Sequence, residues 1–88
     1  MNARCAIEQM IEEGTANGEL LFADGYDDCI IGVNDARTCV IYDQQGIIKK
    51  LMADGMDFID AREYFDFNIG GAYVGPHTPI YCDADLAG

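Results

Sequence analysis

The stretch from Cys29 to Tyr42 reads Cys-Ile-Ile-Gly-Val-Asn-Asp-Ala-Arg-Thr-Cys-Val-Ile-Tyr. Two runs rich in β-branched residues flank a polar segment, in which Asn34 and Asp35 can hydrogen-bond nearby backbone groups. This pattern predicts two antiparallel strands joined by a tight turn, a hairpin over about residues 29–42. Gly32, within the first run, predicts a β-bulge or a close packing contact.

Amphipathic helices are predicted on both sides of this hairpin, at residues 3–13, 44–53 and about 58–68. The predicted apolar positions are Ala3, Ile7, Met10 and Ile11 in the first helix, Ile47, Ile48, Leu51 and Met52 in the second, and Phe58, Ala61, Phe65 and Ile69 in the third. Asp43 and Asp57 are placed to cap the second and third helices. Gly55 and the pair Gly70-Gly71 are placed to end them.

The C-terminal quarter predicts a loop and a short edge strand. Pro76 and Pro79 exclude a helix there, and residues 79–82 are the predicted strand. A further short strand is predicted at residues 20–22, and residues 83–88 are predicted to form a frayed tail. The fold class is therefore α+β: one domain over residues 1–88, with a small antiparallel sheet packed against two or three helices.

The charge balance restricts the partners. Sixteen Asp and Glu stand against five Lys and Arg among 88 residues, a formal net charge of −11. Phosphate backbones and anionic membranes are bound through Lys and Arg, so the composition argues against direct contact with nucleic acid or membrane. It favours a protein partner with a basic surface. The absence of a long apolar run and of a secretory signal pattern predicts an intracellular, cytoplasmic protein.

Catalytic and metal sites have little support in the residue types. The chain has no Ser and a single His, His77, so a Cys-His pair is the remaining nucleophilic arrangement. The four cysteines form no Cys-x-x-Cys pair, and Cys29 and Cys39 are expected to be buried, reduced thiols. The acidic turn at residues 24–28 does not match a calcium loop. We therefore expect no catalytic residue, no metal and no cofactor, with a Cys/His enzyme as the weakest alternative.

Two groups of side chains are the candidate partner-binding residues. The acidic group has a turn segment and a ridge on the third helix, at i, i+3, i+6, i+9 spacing, which is also compatible with a merely solvated face. The aromatic group consists of Tyr64, Phe65, Phe67 and Tyr73, for which packing of all four in the core is the commoner outcome. The alternative is that Phe65 enters the core and that Tyr64 and Phe67 are partly exposed, since consecutive aromatics on one helix cannot all point the same way, and large rigid side chains would then serve as interface anchors. The candidates are Asp24, Asp27 and Asp28 in the turn, Asp57, Asp60, Glu63 and Asp66 on the ridge, and the aromatics Tyr64, Phe67 and Tyr73.

Residues 55–75 carry a motif, Glu63-Tyr-Phe-Asp-Phe-Asn-Ile69 followed by Gly71-Ala-Tyr-Val-Gly75, and Thr78-Pro79 comes after it. This motif resembles a family of small, uncharacterised bacteriophage proteins, and the resemblance extends loosely over residues 24–82. It implies a phage or prophage origin and the cytoplasm of an infected or lysogenic bacterial host. It brings no catalytic residue, and it favours a protein that modulates host machinery, as inhibitors of restriction or CRISPR systems do.

The leading hypothesis is therefore a non-enzymatic acidic protein that binds a host or phage protein. The partner is expected to handle nucleic acid, with carboxylates of this chain occupying sites meant for phosphate. The alternative is a structural or assembly module that self-associates into a homodimer through an edge strand or the aromatic helix.

Overall fold

The computed structural model describes residues 3–83, so the tail predicted for residues 83–88 lies, apart from Asp83, outside the described residues. The elements in chain order are helix α1 (Ala3–Glu12), a 3-10 turn (Asp27–Cys29), strands β1 (Ile30–Val33) and β2 (Val40–Asp43), helices α2 (Gln44–Ala53) and α3 (Phe58–Tyr64), a π-helix (Phe65–Gly70) and strand β3 (Ile80–Cys82). The predicted α+β fold class is confirmed. Residues 20–22 are not a strand, so that prediction was wrong. They belong to an irregular segment in which the side chain of Leu20 is buried in the core.

The central hairpin is confirmed, with β1 and β2 antiparallel. Its connection spans residues 34–39 and is organised by Asn34, whose side-chain oxygen accepts hydrogen bonds from the backbone N–H groups of Thr38 at 2.8 Å and Cys39 at 2.9 Å. The pairing register shifts between Ile30 and Gly32, which is the bulge that the glycine predicts.

The sheet is mixed, which corrects the prediction of a wholly antiparallel sheet. The strand order is β1-β2-β3, and β3 runs parallel to β2 with Tyr42 beside Tyr81. The cause is the connection: between β2 and β3 the chain passes through α2, α3 and the π-helix, and a crossover of that length returns the chain in the same direction. Strand β3 is therefore an outer strand of the sheet.

The polar caps predicted for the later helices are confirmed. The carboxylate of Asp43 accepts a hydrogen bond from the backbone N–H of Gln45 at 3.1 Å, and that of Asp57 accepts one from Asp60 at 2.8 Å. Gly55 follows α2 with φ +113°, a conformation that glycine adopts without steric cost.

The core lies between β2 and the helices. Its largest fully buried side chains are Tyr42, Ile47, Ile48 and Val40, and it also contains Ile7, Leu51, Ala61 and Phe65. Phe58 and Met52, predicted to belong to apolar faces, are exposed, so their assignment was wrong. Both lie at helix ends, Phe58 at the start of α3 and Met52 one residue before the end of α2, where less of the neighbouring chain covers them.

Candidate binding surface

The acidic turn residues are held by internal ion pairs. The Arg4 guanidinium lies 3.2 Å from Asp27 and 3.5 Å from Asp24, and the Lys50 ammonium lies 3.0 Å from Asp28. The hydrogen bond from Lys50 is the main reason that the pKa of Asp28 is lowered. The turn therefore fastens α1 and α2 to the start of β1, and part of its negative charge is neutralised within the chain.

The acidic residues of the third helix have separate roles. Asp57 caps α3, and Asp66 lies 3.5 Å from Arg62 in an i, i+4 pair. Asp60 and Glu63 are exposed, and the described residues contain no ion-pair partner for either. The predicted ridge is thus present along the helix. Its two middle residues, Asp60 and Glu63, are the ones that neither pair with a cation nor cap the helix within the described residues.

The aromatic candidates differ in exposure. Phe67 and Tyr73 are 82% and 78% exposed, whereas Tyr64 is 41% exposed. Val74, which sequence reasoning did not single out, is also exposed at 61%. Phe67 and Tyr73 are the two most exposed of the large hydrophobic side chains among the described residues. Phe67, Tyr73 and Val74 are called the apolar tip below.

Val74 of the apolar tip also lines a groove of about 410 Å³. Its walls come from three parts of the chain: the irregular segment at residues 21–26, the end of the π-helix and the loop after it at residues 68–74, and residues 79–81, which lead into β3. The lining is mostly apolar and includes Phe22, Tyr26, Ile69, Val74 and Tyr81. Its size is within the range of ligand-binding clefts in proteins.

The end of the π-helix forms part of this groove, and its conformation requires the glycines at positions 70 and 71. A Cβ atom on Gly70 would lie 2.7 Å from Cε1 of Phe65, and one on Gly71 would lie 2.6 Å from the backbone oxygen of Asp66. Both distances are too short for real carbon atoms, so the two glycines allow the wide π-helical turn to close against Phe65. The buried ring of Phe65 then packs edge-on against Tyr81, with 5.2 Å between centroids.

The single histidine is engaged in structural contacts. Nδ1 of His77 donates a hydrogen bond to the carbonyl oxygen of Thr38 at 2.8 Å, and Nε2 lies 3.3 Å from Glu19. The neighbouring thiol of Cys39 is buried and donates a hydrogen bond to the carbonyl oxygen of Pro76 at 3.4 Å. Since both ring nitrogens face oxygen atoms, this arrangement gives no support to a Cys-His nucleophile. Cys29 and Cys39 are buried thiols, as predicted.

Three tyrosines beneath and beside the groove predict a loss of stability in alkali. Burial is the main cause that raises the pKa of Tyr26, Tyr42 and Tyr81 above the ordinary value of 10.0. Below pH about 10 both folded and unfolded chains keep these protons, and the stabilisation is complete. As the pH rises further, the unfolded chain ionises first, so the free energy of unfolding falls through the raised pKa values of the folded state.

Urea unfolding at several pH values above 9, with tyrosinate absorbance recorded in parallel, measures this loss. The Tyr81→Phe variant should show a shallower decline than the wild-type chain, because it removes one of the three ionising groups. A free energy of unfolding that stays constant from pH about 9 to 12 would contradict the assignment of these phenols as buried.

Sequence reasoning missed the groove. Its lining residues are distant in sequence, so no local pattern brings them together. In the part of the chain that the structure describes, no helix is long and apolar enough to cross a membrane, and no group of three or more His, Cys, Asp or Glu side chains is arranged to hold a metal ion. Comparison with protein-family models, curated proteins and solved structures gives no match to this chain.

Proposed function

We propose that this chain is a non-enzymatic binding protein that docks on a basic surface of another protein, with the apolar tip at the centre of the interface. The observation that carries the proposal is the exposure of Phe67 and Tyr73, at 82% and 78%, on a chain of net charge −11. Interfaces concentrate their binding energy in such aromatic anchors, while surrounding charges select the partner and speed the encounter.

The acidic residues near the tip support a basic partner. Asp60 and Glu63 are exposed on the helix that leads to Phe67, and the described residues offer them no cation. The internal ion pairs of Asp24, Asp27 and Asp28 make those three weaker candidates for phosphate mimicry than the ridge is. The resemblance to phage proteins favours one kind of partner, a protein that handles nucleic acid in the cytoplasm of a bacterial host.

Affinity capture from a bacterial lysate, followed by quantification of the retained proteins, tests the proposal. A specific partner should be retained by the wild-type chain and lost from the Phe67→Ser/Tyr73→Ser double variant. Raising the salt concentration from about 0.05 M to about 0.5 M should release it, because exposed charges are screened. The Ile31→Ser variant is the matched control, since Ile31 is also an exposed apolar residue, on the opposite outer strand.

Two outcomes would contradict the proposal. Retention that is unchanged in the double variant would remove the apolar tip from the interface. Retention that is indifferent to salt would remove the acidic surface.

Self-association is the second candidate, favoured by one observation: β3 is an outer strand beside an apolar groove. The charge opposes it, since each copy carries −11 and two copies would repel each other. Light scattering over a range of concentrations separates the two candidates. A stable dimer whose molar mass is the same with and without a partner protein would favour the assembly module.

A further inference from the structure

The outer edge of β3 is unpaired within the described residues. The strand is hydrogen-bonded to β2 on one side, and no other backbone hydrogen bond of the described chain involves Ile80, Tyr81 or Cys82. Strand β1, at the other side of the sheet, is packed against α1. An unpaired edge presents alternating N–H and C=O groups that an extended peptide can use as a template.

The groove lies alongside this edge. Tyr81 lines it, together with Pro79, which directly precedes the strand, and Val74. In a sheet, directly paired residues on neighbouring strands direct their side chains to the same face. A residue of an added strand that pairs with Tyr81 would therefore direct its side chain into the groove, against the apolar surface of Ile69 and Val74.

The net charge of the chain selects the occupant. At −11 it is strongly negative, and three of the five basic residues are already in ion pairs: Arg4 with Asp24 and Asp27, Lys50 with Asp28, and Arg62 with Asp66. The described lining of the groove includes no Lys or Arg. A second copy of this chain would bring further negative charge to the groove. A segment with Lys or Arg brings the complementary charge.

We infer that β3 accepts an extended segment of a partner protein as a fourth strand, in which apolar residues alternate with Lys or Arg. The inference rests on the proposed function and specifies its partner: the apolar side chains fill the groove and the backbone pairs with Ile80–Cys82. The basic side chains alternate with the apolar ones, so they point away from the groove, and the net charge of −11 on the chain favours them. Backbone pairing supplies affinity in this mode of recognition, and the side-chain pocket supplies specificity.

The probe is a synthetic heptapeptide of alternating Val and Lys, titrated into the labelled chain and followed by amide NMR shifts. Shifts should concentrate at residues 80–82 and in the groove. Two matched peptides separate the contributions: one replaces Lys by Glu, and the other carries N-methyl groups on alternate amides, which removes half of the possible backbone hydrogen bonds. Each should bind at least about tenfold more weakly than the probe.

Matched variants of the chain locate the contact. Val74→Lys places a cation in the groove wall and should weaken binding of the Val-Lys peptide at least about tenfold. Ile31→Lys changes the net charge equally on β1, and should leave the affinity within about twofold because exposed charges at a distance are screened. Both residues are exposed, so neither substitution removes core packing.

Three results would overturn the inference. The first is equal binding of the N-methylated and unmodified peptides, which would assign the contact to the acidic surface in general. The second is a dimer of the chain alone whose shifts on dilution map to Ile80–Cys82, which would make a second copy the occupant. The third is no binding of any peptide. If a partner is nevertheless captured through Phe67 and Tyr73, the proposed function stands and the strand-addition mode alone fails.

Discussion

The Phe65→Ala variant should lose about 3–5 kcal/mol of unfolding free energy, the largest effect of a single side chain that we expect. The ring is 3% exposed and lies at the junction of the π-helix, β3 and the core. It packs edge-on against Tyr81, which in turn stacks on Tyr42 with 5.7 Å between centroids. Truncation leaves a cavity next to these rings, because the surrounding structure can collapse only in part.

The Phe67→Ala variant is the matched control for this experiment. Phe67 is the same residue type two positions along the same π-helix, but its side chain is 82% exposed. Its truncation should change the free energy of unfolding by less than about 0.5 kcal/mol. Urea unfolding followed by circular dichroism measures both variants. Equal losses in the two would contradict the burial pattern of the π-helix.

The Gly71→Ala variant should be destabilised by about 1–3 kcal/mol. The added methyl group would lie 2.6 Å from the backbone oxygen of Asp66, and a backbone atom cannot rotate away as a flexible side chain can. The π-helical turn must open to admit it, which disturbs the wall of the groove formed by Ile69 and Ala72. Peptide binding should therefore weaken together with stability.

The Gly18→Ala variant tests whether this loss is specific to the π-helix. A Cβ atom on Gly18 would meet its nearest neighbour, Cγ2 of Ile11, at 3.9 Å, an ordinary van der Waals contact. Alanine also restricts the unfolded chain, so this substitution should be neutral or stabilising by up to about 1 kcal/mol. Thermal unfolding of the two variants under one set of conditions gives the comparison. A neutral Gly71→Ala would show that the turn closes differently.

The local elements could be predicted because their signals are local. The hairpin follows from β-branched runs around Asn34, and α2 follows from its apolar spacing between Asp43 and Gly55. The conformation of residues 65–70 could not be predicted in this way. Its apolar spacing is compatible with an α-helix, and the wider turn depends on the contact between Gly70 and the ring of Phe65.

The candidate surface was predictable in its residue types and only partly in its arrangement. Core packing of all four aromatics, the outcome that residue type favours, was wrong: Phe65 is buried, whereas Phe67 and Tyr73 are exposed. The acidic turn was a candidate for an outside partner, whereas Arg4 and Lys50 approach it from elements that are distant in sequence. Pairing of that kind cannot be deduced from the spacing of the acids.

By itself, the sequence determined the net charge of −11, the hairpin, the capped helices and the positions of the glycines, since each depends on composition or on neighbours a few residues away. The tertiary structure decided that β3 lies parallel to β2 at the outside of the sheet, that Arg4 and Lys50 pair with the acidic turn, and that three distant segments enclose a groove. These features depend on how long connections return to the core, and close contacts between residues about 20 to 60 positions apart arise only when the whole chain has packed.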